Sequence, residues 1–246
     1  MTDSARCWAM IPAAGVGRRF GGRVPKQYLE LAGRRVIDHV LGLLLDHPTI
    51  AGCVVALDAA DAWWPEGPFA GDPRVLRVVG GKERCHSVCN GLDGLVDTGE
   101  AGTEDWVLVH DAARPCLRRS DLDALLAALD DEPVGALLGI PVHDTVKRVA
   151  AEGGDGSGVG PEIVETVPRE ALWRAYTPQA FRLGLLHRAL TRALGQGQLV
   201  TDDASAVELL GLRPRMVEGH ADNIKITRPE DLPLAEFFLR QQGRID

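Results

Sequence analysis

The chain has 246 residues, 45% hydrophobic and 25% charged, and a formal net charge of −8. That length gives one large α/β domain, or a domain with an appendage, and enough chain to bury a substantial core. The acidic balance excludes a broad nucleic-acid-binding surface, so a local cluster of cations points instead to a small anionic ligand.

Residues 7–11, Cys-Trp-Ala-Met-Ile, form a short apolar run that reads as a buried strand. It feeds into PAAGVGRRFGGRVPK at 12–26. There Ala13, Ala14, Gly15 and Gly17 let the backbone approach a ligand closely, with N–H groups free to meet oxygens. Arg18, Arg19 and Lys26 beside them suggest a polyphosphate. The loop lacks the Gly-Lys-Ser/Thr ending of a Walker A motif, and Phe20 stands where a dinucleotide fingerprint needs its third glycine. Val36, Ile37, Val40, Leu41 and Leu44 then fall on one helical stripe, ended by His47-Pro48.

A strand is predicted at 53–57, followed by an irregular stretch at 58–73 in which Trp63-Trp64-Pro65 either forms a lid or, as is more common, anchors a long loop to the core. Residues 74–79 read as a third strand and end at Gly80-Gly81. A helix at 82–96 follows, with Arg84 and Ser87 near its start, so backbone donors could meet a ligand at a second place. The strand at 106–109 runs into His110-Asp111-Ala112-Ala113-Arg114-Pro115. This puts a carboxylate at the carboxyl end of a strand, where open α/β sheets bind ligands. Ser120 and Asp123 form a capping-box pattern for a helix to about 129. Residues 136–142 are the next strand, and the alternation to this point marks parallel α/β units.

The rhythm breaks at 143–149 and 163–167, two strand-like runs flanking the glycine-rich 153–160. They read as a β-hairpin arm, and an arm of two strands needs something to pack on. A second copy of the chain, in a homodimer, is the expected partner. Residues 173–179 return to the body, helices cover 183–194 and 202–210, and 215–218 is a short strand. Lys225 is read on another short strand before the last helix, which opens on Thr227 and Glu230 as a capping box with Pro229 in the first turn.

Five scattered cysteines, Cys7, Cys53, Cys85, Cys89 and Cys116, read as reduced thiols of a cytoplasmic protein. Cys85 and Cys89 share a helical face without further ligands at metal-binding spacing, so buried or half-buried thiols are expected. No long apolar segment opens the chain, and no run approaches the ~18 residues needed to span a bilayer; a membrane partner is not expected.

Arg19, Lys26, Asp111, Asp222 and Lys225 fall at strand ends or in loops. Nucleotidyl or phosphoryl transfer needs cations on the phosphates, a carboxylate for Mg²⁺ and a means of positioning the acceptor, and this set offers all three. A G-x-S-x-G elbow, a CxxC and an H-E-x-x-H are absent.

Seven segments, PAAGVGRRF, PKQY, the GG-x-E-R-x-x-SV run at 80–88, VHDAARP, PVHDTVKR, TPQ and ADNIKITRPEDL, together resemble the 2-C-methyl-D-erythritol 4-phosphate cytidylyltransferases of the non-mevalonate isoprenoid pathway. The resemblance runs from about residue 7 to 239, with the segments in the family's order. It implies an α/β, Rossmann-like nucleotidyltransferase fold with a mostly parallel sheet flanked by helices. One domain would span 1–246, with a protruding β-arm at 142–176 that hooks into a homodimer partner. It implies CTP and methylerythritol phosphate as substrates, Mg²⁺ as cofactor and pyrophosphate as product.

By the same resemblance, Arg19 and Lys26 are catalytic. Ala13, Ala14, Gly15, Gly17, Gly80, Gly81, Glu83 and Ser87 bind CTP. Asp111, Thr145, Arg169, Thr177 and Lys225 position the acceptor, with Arg169 and Thr177 reaching the neighbouring subunit's site. Asp111 contacts the metal, and Asp222 is a second metal contact. Lys82 departs from the family pattern, which leads one to expect an acidic or small residue beside the base pocket. A cytidylyltransferase for another polyol phosphate, such as ribitol 5-phosphate, is the alternative. A non-catalytic nucleotide-binding protein is disfavoured by the retention of Arg19, Lys26 and Asp111, and a nicotinamide dehydrogenase by Phe20.

Overall fold

The structure is a computed structural model that describes residues 6–15, 24–130, 132–150 and 160–246. In chain order its elements are β1 (Cys7–Pro12), β2 (Glu30–Leu31), β3 (Arg34–Arg35), α1 (Val36–Leu45), β4 (Ile50–Leu57), β5 (Val75–Val79), α2 (Arg84–Asp97) and β6 (Trp106–Val109). Then come α3 (Arg119–Ala128), β7 (Gly135–Pro141), β8 (Val146–Val149), β9 (Ile163–Val167), β10 (Trp173–Arg182), α4 (Leu183–Gly195), α5 (Asp203–Glu208), β11 (Arg215–Glu218) and α6 (Asp231–Gln241). Two short 3-10 turns, Lys26–Tyr28 and Trp64–Glu66, join them.

Seven strands form one sheet in the order β11-β7-β10-β6-β1-β4-β5. Every pairing is parallel except those of β10, which runs antiparallel to both β6 and β7. The apolar runs of β1, β4 and β6 follow from burial on both faces, since a parallel sheet is covered by helices above and below. Ile11, Val55 and Leu108 pack one face against Leu41 of α1 and Leu125 of α3. Their strand neighbours Met10, Val54 and Val107 face the other way, against Leu92 of α2 and Leu186 of α4. A smaller cluster, including Val36, Ala113, Cys116, Ile226 and Leu239, seats α6 over the loop after β6. No helix among the described residues is long and apolar enough to cross a membrane.

The strands and helices agree with the sequence expectations in kind, and four details differ. Residues 173–179 are not merely a return to the body but most of the ten-residue β10, which completes the sheet centre. Pro178 hid it, because proline cannot donate to a ladder. The chain accommodates it where the register with β7 breaks between Ala175 and Gln179. Ser120 does not cap α3: Arg118 is the N-cap without a side-chain bond, and Asp123 instead meets His47 at 2.8 Å. At α6 it is Asp231, not Glu230, that reciprocates, accepting from Thr227 N, Thr227 Oγ1 and Arg228 N. Lys225 lies in a loop and not on a strand.

Trp64 is buried and anchors its loop, as expected. Cys7, Cys53, Cys85 and Cys116 are buried and Cys89 half-buried, none in a disulfide. β8 and β9 pair antiparallel as a separate two-stranded ribbon, and of the expected tip at 153–160 all but residue 160 lies outside the described residues.

Candidate active site

The carboxyl ends of β1 and β6 and the N-terminus of α2 enclose a cavity of about 270 Å³. Its wall brings together, from across the sequence, Ala13, Ala14, Gly15, Lys26, Gly81, Glu83, Ser87, Asp111 and Lys225. It also contains Gln27, Lys82 and Arg84. Sites at the carboxyl ends of parallel strands follow from topology: neighbouring loops diverge there and leave a crevice.

The first wall is backbone. Ala13 N–H is tied to Ala56 O at 2.8 Å, and Gln27 Nε2 donates to Ala13 O at 2.7 Å, so the start of the loop is held from both sides. Lys26, half-buried in its 3-10 turn, is thereby set beside Ala13 in the cavity wall. Gly17 and Arg19 lie outside the described residues.

The second wall is the Gly80-Gly81 turn into α2. A Cβ at Gly80 would stand 2.4 Å from Ala14 Cβ, so glycine here lets the two loops touch. A Cβ at Gly81 would meet His86 Cβ at 2.3 Å. Of the backbone donors expected at this turn, two are engaged within the chain: Gly80 N–H donates to Leu57 O at 2.7 Å and Gly81 N–H to Ser87 Oγ at 3.0 Å. Ser87 therefore braces the turn. The donors left are those of α2's first turn, whose N-cap Glu83 makes no side-chain cap.

Asp111 is the electrostatic centre. Its Oδ1 accepts from Arg84 Nε at 3.1 Å, while Oδ2 lies 2.7 Å from Lys225 Nζ and 3.6 Å from Arg114 Nε. Burial alone would raise its pKa, but the Arg84, Lys225 and Arg114 charges outweigh that and hold the carboxyl well below the usual range. Arg84 in turn spans from Asp111 to Asp203 Oδ2 at 2.8 Å. Burial pulls its pKa down, yet the two carboxylates push it up further. Asp203 is fully buried, and that burial raises its pKa against the pull of Arg84.

Beneath Asp111 a short relay fixes its backbone. Asp111 N–H donates to Thr177 Oγ1 at 3.1 Å, and Thr177 Oγ1 lies 3.0 Å from His110 Nδ1. His110 Nε2 faces the Arg114 carbonyl at 3.1 Å, which can only accept, so Nε2 carries the proton and Nδ1 accepts from Thr177. Burial lowers the His110 pKa to about 4, so the imidazole is neutral. Asn223 Nδ2 donates to Thr177 O at 2.9 Å and Arg114 Nη1 to Asn223 O at 2.7 Å, which ties this relay to the Lys225 loop.

The structure separates the remaining expected residues. Thr177 is buried under Asp111 of its own chain and does not extend towards a neighbour. Thr145 and Arg169 are exposed on the arm side, away from the cavity wall, with Arg169 donating to the His143 carbonyl. Asp222 turns away: its Oδ2 accepts from Arg118 Nε at 2.8 Å and Gln242 Nε2 at 3.0 Å. Arg84 was noted in the sequence only as standing near a helix start; its pairing to Asp111 and Asp203 was not foreseen. The signal was its place in the GG-x-E-R run, one turn from Ser87.

No described trio of metal-ligand side chains surrounds Asp111. A Mg²⁺ carried in on phosphate oxygens and met by one Asp111 oxygen fits this donor set, because Mg²⁺ is commonly bound by one or two carboxylates plus substrate phosphates. An all-protein cage does not fit. A different cluster, Cys89, Asp93 and His187, has its ligand atoms within 4.8 Å of one another on α2 and α4. Sequence spacing gives Cys89 no such set, because His187 comes from a separate helix far along the chain. The cluster is half-buried to exposed, and His187 already meets Asp93 at 2.7 Å.

The profile of the 2-C-methyl-D-erythritol 4-phosphate cytidylyltransferases matches residues 7–241. The chain is 55% identical over 225 residues to the enzyme of that name from Pseudomonas fluorescens strain SBW25, covering 92% of each chain. It is 54% identical over 229 residues to that of Ectopseudomonas mendocina, covering 93% and 94%. Among solved structures, a crystal structure of 4-diphosphocytidyl-2C-methyl-D-erythritol synthase superposes with a TM-score of 0.81 at 37% identity, over 96% of this chain and 100% of the other. The Francisella tularensis 2-C-methyl-D-erythritol 4-phosphate cytidylyltransferase gives 0.80 at 33%, over the same shares. With its mostly parallel sheet, its backbone-lined cavity and its Asp111 cluster, the chain belongs to the 2-C-methyl-D-erythritol 4-phosphate cytidylyltransferase family.

Proposed function

We propose that the chain transfers the cytidylyl group of CTP to 2-C-methyl-D-erythritol 4-phosphate. An oxygen of the acceptor phosphate bonds to the α-phosphorus of CTP, the bond to the β-phosphate oxygen breaks, and pyrophosphate leaves. The observation that carries this reading is the convergence of Arg84 and Lys225 on one carboxylate, Asp111, in a cavity whose wall also holds Lys26, Ala13, Ala14 and Gly15.

The acceptor phosphate is ionised near neutral pH, so no protein base has to take a proton. Catalysis then rests on alignment and on charge placed where charge develops. Lys26, with Arg19, meets the negative charge that builds at the α-phosphorus. The loop at 13–17 and the start of α2, with Gly80, Gly81, Glu83 and Ser87, hold the nucleotide. Asp111 and Lys225 position the acceptor, and Thr177 acts through Asp111 by fixing its backbone. When bound, Mg²⁺ neutralises phosphate charge, and Asp111 is the carboxylate that would meet it. Asp222, held by Arg118, gives no support to a second metal contact.

The arm is read as the dimer contact of a single-domain chain. Val149, Ile163 and Val164 on its two strands are 43%, 63% and 63% exposed, apolar surface that a lone two-stranded ribbon leaves uncovered. A second copy would cover it and bring Thr145 and Arg169 towards the neighbouring acceptor site.

The deciding experiment is pyrophosphate release from CTP with Mg²⁺, with methylerythritol 4-phosphate and ribitol 5-phosphate supplied separately. Release with the first and little with the second is expected. Release with ribitol phosphate alone would move the assignment to the other acceptor, and release with neither would overturn transferase activity.

A further inference from the structure

A second cavity, of about 500 Å³, lies between the face of α1 from His39 to its C-cap Asp46, the start of α3 and the C-terminal tail. Arg34, Arg118, Arg119 and Arg244 line it, with Asp46 as the one carboxylate in its wall. Two of these cations are already matched. Arg118 pairs with Asp222 at 2.8 Å, and Arg119 faces Asp123 at 3.6 Å.

The other two are not matched by any described carboxylate. Arg244 spends its guanidinium on neutral oxygens: Nη1 donates to the Pro115 and Leu117 carbonyls at 2.6 and 3.1 Å, and Nη2 to the His39 carbonyl at 2.9 Å. Burial lowers its pKa, which Cys116 partly offsets and the nearby Arg34 charge depresses further. Arg34 is exposed, and its Nη2 donates to the Asp38 carbonyl at a long 3.4 Å. Two like charges facing one cavity raise each other's cost, and an anion between them would remove it. Ser120 adds a hydroxyl to the same wall, and α3 opens there without a side-chain cap.

We propose that this cavity is a second anion site, separate from the nucleotide cavity, that takes a phosphate or diphosphate group through Arg34, Arg244 and the Ser120 end of α3. The proposal does not depend on which acceptor the chain uses. The volume exceeds a bare phosphate, so the group can be free or part of a larger phosphorylated metabolite. The nucleotide cavity shares none of these residues.

The test is calorimetric titration of the full chain with inorganic pyrophosphate, with and without saturating CTP. One class of binding is expected to vanish with CTP and a second to persist. Arg244→Gln is the direct variant, but it also removes ties to three carbonyls and can unfold the tail. Arg34→Gln, on the exposed wall, therefore decides. It is expected to weaken the CTP-insensitive binding about tenfold, the size of one lost charge-assisted hydrogen bond, with an unchanged melting temperature. Repeating the titration with a phosphate monoester of a small polyol separates a free diphosphate from a phosphorylated metabolite as the preferred source. Absence of any CTP-insensitive binding, or such binding left unchanged by Arg34→Gln, overturns the site.

Discussion

Lys225 Nζ stands 2.7 Å from Asp111 Oδ2, while Arg84 Nε stands 3.1 Å from Oδ1 of the same carboxylate. One carboxylate thus holds two cations, one from the first turn of α2 and one from the loop before α6. The Asp111 side chain is only 9% exposed, so the pairs act through a medium of lower dielectric than water.

Replacing Asp111→Asn would leave Arg84, Arg114 and Lys225 together without their carboxylate. Breaking a buried pair this way costs about 3–5 kcal/mol, and the lower end applies because Lys225 is 38% exposed and keeps some water. Urea unfolding should show that loss. The sign with pH follows from the depressed folded pKa. The stabilisation is complete above the ordinary Asp value of about 3.9 and is lost progressively as pH falls below it. Asp111→Asn should flatten that acid limb, and an unchanged limb would place the stabilisation elsewhere.

Lys26→Ala is expected to cut turnover by about 100-fold or more, if the ammonium meets charge that develops at phosphorus as an oxyanion donor does. Lys26 sits in the cavity wall on a 3-10 turn whose backbone bond, Tyr28 N–H to Pro25 O at 2.9 Å, does not need the side chain. Circular dichroism should therefore be unchanged. Near-normal pyrophosphate release would remove Lys26 from the chemistry.

The local motifs made this site legible before the fold did. Small residues after β1 and a carboxylate after β6 mark strand ends, and both signals are short-range. What stayed hidden needed distance. Arg84 pairs with Asp203 across the chain, and no spacing rule connects the two. Thr177, just past the arm, read as reaching a neighbouring subunit because Pro178 concealed β10, and only the antiparallel register with β6, Gln179 opposite Val109, puts Thr177 under Asp111. Asp222 lies in the same motif as Lys225, yet it turns to Arg118 because the chain loops back between them, with Ile224 N–H bonded to Asp222 O at 2.7 Å.

Gly80→Ala should act on the nucleotide without touching a charge. The new Cβ would sit 2.4 Å from Ala14 Cβ and 3.0 Å from Ser87 Oγ, so the loop after β1 must move outward. Overpacking of this kind costs about 1–3 kcal/mol. The expected result is a rise in KM for CTP larger than the change in kcat, and an unaltered KM would mean that the loop does not bear on the nucleotide.

The arm offers a test that leaves the cavity intact. Val164→Glu replaces a side chain 63% exposed on β9 with a charge that a hydrophobic contact cannot accept. Light scattering at micromolar concentration should show a dimer for the parent chain and a monomer for the variant. A parent chain that is already monomeric would end the dimer reading.

His110 ties the same site to pH from the inside. Above about pH 6.5 its imidazole is neutral whether the chain is folded or not, and titration costs nothing. Between 6.5 and about 4 the unfolded chain takes up a proton that the folded chain refuses, so stability falls as pH falls; below about 4 both forms are protonated and the loss levels off. The size is set by the shift and amounts to roughly 3 kcal/mol. His39, also lowered by burial, contributes in the same direction, so the measurement must be a difference. His110→Gln, compared with the parent by urea unfolding from pH 7.5 to 4, should lose most of the slope that His39 does not supply. An equal slope in both chains would mean that Thr177 and the Arg114 carbonyl hold a charged imidazole, and the tautomer deduced from their geometry would be wrong.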